Sequence, residues 1–203
     1  DFFSRAQLGT IAEFVSERGG GLLVLGGRSF AQRGLMGTPL EDVLPLELAA
    51  RRSALPRTTV ARDALPRHNA VMPTPEGEGH PIMRLGPSVE DSRKSWAALP
   101  ALASIAPLGG PRPGALVLGV TSGPGGDTLP VVAVQRYGRG RSMVFAGEAS
   151  WRWRMMLPAS DRRYESFWRQ AARWLAAEAP SPITITTSDD PAASRPVTVE
   201  AEA

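Results

Sequence analysis

The sequence predicts an α/β domain, and three observations carry that prediction. A capped, amphipathic stretch over residues 4–15 passes through Gly19–Gly21 straight into the apolar run Leu22-Leu23-Val24-Leu25. Residues 114–147 hold three strand-like stretches separated by glycine-rich turns. A second amphipathic stretch, residues 161–177, bears a heavy aromatic stripe. Helices and short strands alternating this tightly bury their apolar faces against one another, and helix layered on sheet is the stable way to do so.

Each element has a local reason. Ser4 and Gln7 form an S-x-x-Q capping box, in which each side chain satisfies an end amide near the other. Leu8, Ile11, Ala12 and Val15 recur at helical spacing, and Gly19–Gly21 end the helix because glycine accepts a left-handed cap. An unbroken apolar strand such as 22–25 is typical of parallel sheets and is expected to be covered on both faces. Prolines recurring from Pro39 to Pro87 break any long helix in that region. There the pattern gives a short strand at Thr58–Ala61, a polar turn at Thr74–Gly79, an extended piece from His80-Pro81 to Leu85, and a brief helix at Ser95–Leu99. A meander follows: strands at Ala115–Thr121, Pro130–Gln135 and Arg141–Ala146, with a loop at Ser122–Asp127 and a tight turn at Tyr137–Gly140. In the last helix, Tyr164, Phe167, Trp168, Ala171, Trp174 and Leu175 form one stripe, read as core. Composition then shifts at Pro180-Ser181-Pro182. Ile183 and Ile185, then Val197 and Val199, alternate with polar residues like the first strands of a β-sandwich. The division is therefore an α/β domain over 1–179 and the start of a β-rich segment over 180–203.

Composition narrows the function. The chain has no cysteine, which excludes disulfides, thiolate metal sites and every cysteine nucleophile within these residues. Only Lys94 among the 23 basic residues is a lysine, and the arginines are scattered along the chain instead of gathered in one patch, so no nucleic-acid partner is expected. No apolar run approaches the roughly 18 to 20 residues that span a bilayer. The chain opens on Asp1 with no signal-peptide pattern and reads as a piece of a larger protein. The two histidines, His68 and His80, and the pair Asp189-Asp190 have no metal-ligand spacing, so neither metal nor cofactor is expected.

Three stretches together resemble a family. They are residues 11–27 (IAEFVSERGGGLLVLGG), Gly79–Leu85 (GHPIMRL) with Trp96–Pro100 (WAALP), and Pro130–Arg141 (PVVAVQRYGRGR) running on to Gly147–Trp153 (GEASWRW), with Phe167-Trp168-Arg169 and Trp174-Leu175 beyond. The arrangement resembles the glutamine amidotransferase-like domains of large bacterial membrane proteins over roughly residues 3–177. The resemblance implies a class I amidotransferase-like, flavodoxin-like three-layer sandwich, with a mostly parallel sheet and an opening strand before Asp1. It also implies a soluble domain of a membrane protein, with the membrane reached only through segments outside this chain and the periplasmic side favoured. An active member needs a cysteine on a strand-to-helix elbow and a His–Glu pair after a late strand, where the thiolate attacks the glutamine amide and the histidine moves protons. Here Gly26-Gly27-Arg28 stands at the elbow and Gly147-Glu148-Ala149 at the late strand's end, so the nucleophile and the histidine are both missing. The resemblance thus implies a non-catalytic interaction or scaffold module, acting on a protein partner or on other domains of its own chain. The alternative is a domain that binds a small anion or carbohydrate, and a hydrolase with a non-cysteine nucleophile comes last.

Two groups of residues are candidates for contact with a partner or ligand. Gly26, Gly27, Arg28 and Ser29 leave the carboxyl end of a strand, where open α/β sheets bind ligands, and form either an anion-binding loop or simply a tight turn. Ser29 lacks the final glycine of G-x-S-x-G and a nearby base. Glu148, Ser150, Trp151 and Arg152, with Trp153, form the other group. In an extended chain both indoles would share one face, against a sugar, a peptide or neighbouring loops.

Overall fold

The structure, a computed structural model, describes residues 3–26, 35–48, 68–123 and 127–179, with the backbone of 184–186 and 200–202. The first helix, α1 (Arg5–Ser16), starts as the capping box requires. The Ser4 hydroxyl accepts from the Gln7 N–H at 3.3 Å and the Gln7 side chain accepts from the Ser4 N–H at 2.8 Å. Strand β1 (Gly21–Leu25) follows after four residues. Helix α2 (Pro39–Val43) begins on a proline, whose missing N–H costs nothing in the first turn. Strand β2 (Met72–Pro73), the one-turn helix α3 (Pro75–Glu78), a 3-10 turn (Pro81–Met83) and α4 (Val89–Ala97) complete the proline-rich middle. Strands β3 (Leu116–Ser122), β4 (Thr128–Tyr137) and β5 (Gly140–Phe145) form the meander, followed by the short α5 (Arg152–Met155) and the long α6 (Arg163–Ala176). Two short strands, β6 (Thr184–Thr186) and β7 (Glu200–Glu202), pair antiparallel in a sheet of their own.

The main sheet runs β1-β5-β4-β3-β2. Only β1–β5 is parallel, while β5–β4, β4–β3 and β3–β2 are antiparallel. The fold is α/β, as expected, but the described sheet is mixed where the resemblance implied a mostly parallel one. The cause is local. Tyr137 and Gly140 pair across a two-residue hairpin, and so short a link joins only antiparallel strands. At its tip Gly138 sits at φ 57°, where a Cβ would stand 2.4 Å from the Ser16 carbonyl oxygen, and the Arg139 N–H donates to that oxygen at 2.7 Å.

Helices cover both faces. Leu8, Ala12 and Val15 of α1 with Leu40 and Val43 of α2 pack one side. On the other, Phe167, Ala171 and Leu175 of α6 join Trp96 of α4, Trp153 of α5 and the strand residues Val132, Val134, Met143 and Phe145. The aromatic stripe of α6 is core, as predicted.

Four local expectations change. The piece after His80 is a 3-10 turn because Pro81 starts it and His80 Nδ1 accepts from the Ile82 N–H at 3.3 Å. The residues after Thr74 wind into α3 because the Thr74 hydroxyl caps the Gly77 N–H. The helix near Trp96 starts at Val89, not Ser95, because Ser88 caps it and Glu90 and Asp91 favour its first turn. Strand β1 is not covered on both faces: Leu23 is 37% and Leu25 58% exposed, and no described strand pairs with its outer edge. The strand expected at Thr58–Ala61 lies outside the described residues.

Candidate functional site

The parallel pair brings Gly26, the first residue of one predicted loop, to the end of the sheet where Glu148 stands. β1 and β5 align from Gly21↔Arg141 to Leu25↔Phe145, so the chain leaves both at the same end of the sheet. The Gly26 N–H donates to the Phe145 carbonyl at 2.7 Å. A Cβ on Gly26 would come within 2.9 Å of Ala146 Cα and 3.1 Å of Ala106 Cβ, so the approach requires glycine. Gly27, Arg28 and Ser29 lie outside the described residues.

A strap crosses the end of β5. The Ala106 N–H donates to the Ala146 carbonyl at 2.8 Å, Ile105 and Gly147 form an antiparallel bridge, and the Glu148 N–H donates to the Ser104 carbonyl at 2.9 Å. The Ala103 N–H closes the exchange on the Glu148 carbonyl at 3.1 Å. The Ser104 hydroxyl donates to Glu148 Oε2 in a short hydrogen bond. Asn69, itself left-handed at φ 62°, holds the strap from outside. Its carbonyl accepts from the Leu102 N–H at 2.9 Å and its amide donates to the Ala103 carbonyl at 3.3 Å. Directly after Glu148, Ala149 adopts φ 63°. That conformation costs a residue with a Cβ about 1 kcal/mol or more, which the strap's hydrogen bonds offset. Sequence reasoning missed Ser104 and Asn69, because partners 44 and 34 residues from Glu148 and Ala103 leave no local signal.

Beyond Ala149 the chain turns into α5, and the expected extended Trp-x-Trp does not form. Helix separates the two indoles. Trp153 is buried, with Nε1 donating to the Pro100 carbonyl at 2.8 Å, while Trp151 is 57% exposed. Arg152 Nε lies 3.3 Å from the Met156 sulfur. The structure therefore brings Gly26 and Glu148 to one end of the sheet and sends Trp151 and Arg152 to the protein surface beside it.

The histidines do not complete a proton-transfer pair there. His80 stacks edge-on against Trp174 at 5.5 Å, and the same indole carries the Arg141 guanidinium at 4.9 Å. Arg141 stands near the start of β5 and Glu148 beyond its end, so the length of the strand separates His80 from the strap. Burial, then the Arg141 charge, hold the His80 pKa below its ordinary value. His68 is exposed beside Asn69. Among the described residues no cluster of three or more His, Cys, Asp or Glu is placed to hold a metal. A cavity of about 520 Å³ opens elsewhere, between β2 and α4, lined mainly by Val71, Met72, Pro73, Trp96 and Leu99. Arg93, its charged member, is engaged by Glu78 at 2.8 Å and Glu90 at 3.1 Å. No described helix is long and apolar enough to cross a membrane.

No protein-family model matches this chain, and no curated protein matches it. Chemically, the end of the parallel pair offers a carboxylate bound by a serine hydroxyl, a strained alanine, and an exposed indole and guanidinium next to them.

Proposed function

We propose that this chain is a non-catalytic, class I glutamine amidotransferase-like domain of flavodoxin-like fold. It serves as an interaction or scaffold module of a larger, membrane-anchored bacterial protein. It presents the loops at the carboxyl ends of β1 and β5, with Trp151 and Arg152 beside them, to a protein partner or to other domains of the same polypeptide. The carrying observation is the Glu148-Ala149-Ser150 segment. By the resemblance it stands where the family keeps its His–Glu pair, and its Glu148 carboxylate accepts from the Ser104 hydroxyl of the strap. A nucleophile would need a base within hydrogen-bond reach, and His80 is a strand length away.

The test is a glutaminase assay on the purified chain, followed by a thermal-shift screen against anions, sugars and amino acids. The expected result is glutamate release at the background rate and no ligand that raises Tm. Sustained, enzyme-dependent hydrolysis would overturn the proposal. A sugar or anion that raises Tm in a concentration-dependent way would replace it with the small-molecule-binding reading, because a ligand selective for the native state must stabilise it.

A further inference from the structure

The corner formed by α5 and α6 combines an exposed apolar cluster with a line of arginines. Trp151 is 57%, Met155 73% and Met156 57% exposed. Trp151 and Met155 are neighbours by helix geometry, the Met155 N–H donating to the Trp151 carbonyl at 3.0 Å, and Met156 follows one turn after Arg152, its N–H donating to the Arg152 carbonyl at 2.9 Å. Trp153, pointing the other way, anchors the corner in the core, so the cluster is held up by a buried indole. Arg154 ties α5 to α6 through Glu165 at 2.8 Å.

Along α6, Arg169 and Arg173 fall on one face. At 100° per residue they point directly away from Phe167, Ala171 and Leu175, which are buried. Glu165 lies on the arginine face and already serves Arg154 and, at 3.6 Å, Arg162. Arg152, Arg169 and Arg173 have no carboxylate partner among the described residues. The result is an apolar anchor on α5 and, on α6, unmatched positive charge at Arg169 and Arg173, about 6 Å apart at 1.5 Å per residue. Trp, Met and Arg are the side chains enriched in the centres of protein–protein interfaces. Methionine adapts its shape to what covers it.

We propose that this corner docks an acidic segment of a partner protein. An apolar side chain of that segment sits on Trp151, Met155 and Met156, and its carboxylates line up on Arg152, Arg169 and Arg173. The proposal rests on the interaction-module reading and names the partner's chemistry. An anionic bilayer would share the charge, but it favours basic groups ringing the inserted apolar side chains. Here they extend from one side in a line, the footprint of a peptide.

The test pans the intact chain against a random displayed library of peptides of about 12 residues, a length that covers the stripe when helical. Vesicles of equal parts phosphatidylglycerol and phosphatidylcholine are run in parallel. Enriched peptides are expected to pair an aromatic or aliphatic residue with two or more carboxylates. Their affinity should fall about tenfold or more in Arg169→Glu/Arg173→Glu and in Trp151→Ala. All these positions are on the surface, and circular dichroism checks that the variants fold. Recovery of peptides without acidic bias, or of none at all, overturns the proposal. So does binding that survives the charge reversal, or co-sedimentation with the vesicles that the same substitutions abolish. Glutamine hydrolysis by the chain would sink the scaffold reading alone, so the two failures are told apart.

Discussion

The two faces of the sheet are held to their helices by different means. On the α6 side, Phe145 meets Trp153, Phe167 and Trp168 at 5.8, 5.8 and 5.2 Å, and Trp96 packs edge-on against both Trp153 and Phe167 at 5.5 Å. On the α1 side the buried side chains are leucine, valine and alanine. Polar anchors make up the difference. Gln135 Nε2 donates to the Asp42 and Val43 carbonyls at 3.2 and 2.9 Å, and the Ser142 hydroxyl donates to the Val43 carbonyl as well. Those carbonyls end α2, a helix too short to satisfy them itself. Large rings attach a long helix by area and need little direction. A five-residue helix has little area to offer and must be located by hydrogen bonds.

Phe167→Ala should break the comparison most severely. It opens a cavity at the meeting point of the aromatic side, with an expected loss of about 3 to 5 kcal/mol in chemical denaturation. A loss near that of an exposed site would mean the rings close over the gap and the cluster is looser than its geometry. Gln135→Leu tests the other face. It removes the Gln135 donor from the Asp42 carbonyl and leaves the Val43 carbonyl to Ser142 alone, at similar volume, and should cost about 1 to 2 kcal/mol, with amide exchange in α2 accelerated more than in α6. Equal acceleration in both helices would show that the anchors do not act locally.

Acid should loosen the aromatic side first. The fold holds the His80 pKa below its ordinary value, so the neutral ring is the native form, with Nδ1 accepting from the Ile82 N–H. The stability contributed is complete above the unfolded histidine value of about 6.5 and is lost as pH falls through the folded one. His80→Asn keeps an acceptor for the Ile82 N–H but cannot titrate, so thermal unfolding of the variant should be flatter over this interval. An unchanged slope would remove His80 from the account. At lower pH Asp161 adds a second loss, since hydrogen bonds from Arg163 hold its carboxyl below the usual range. The smallest effect belongs to the strap, which joins neither face. Ala149→Gly relieves a left-handed backbone at the expense of some chain entropy and should raise stability by about 0.5 kcal/mol. A loss of stability would mean that the alanine methyl contributes packing the backbone angle does not reveal.

Much of the scaffold was legible in local pattern. The capping box at Ser4 and Gln7, the stripe from Phe167 to Leu175, and the meander around Tyr137–Gly140 each need only neighbours within a few residues to declare themselves. The proline-rich middle is poorly legible because the pieces capped at Thr74 and His80 are single turns with too few residues to show a period, and the nine-residue helix capped at Ser88 buries only Ser92 and Trp96. The site was half legible. Gly26 and Glu148 were singled out at the right strand ends, yet the Trp-x-Trp face was misplaced because a helical turn, not a strand, follows Ala149.

The sequence by itself determined which segments wind or extend, that no cysteine chemistry is possible within these residues, and where the α/β core would lie. Those properties depend on side-chain type and spacing along a few residues of chain. Only the tertiary structure decided that β5 lies between β1 and β4, that Ser104 reaches Glu148, that Arg141 and His80 share the Trp174 ring, and that Trp153 is buried while Trp151 is bare. Such pairings join residues tens of positions apart. They are selected by packing of the whole chain, which leaves no periodic trace in either partner's neighbourhood.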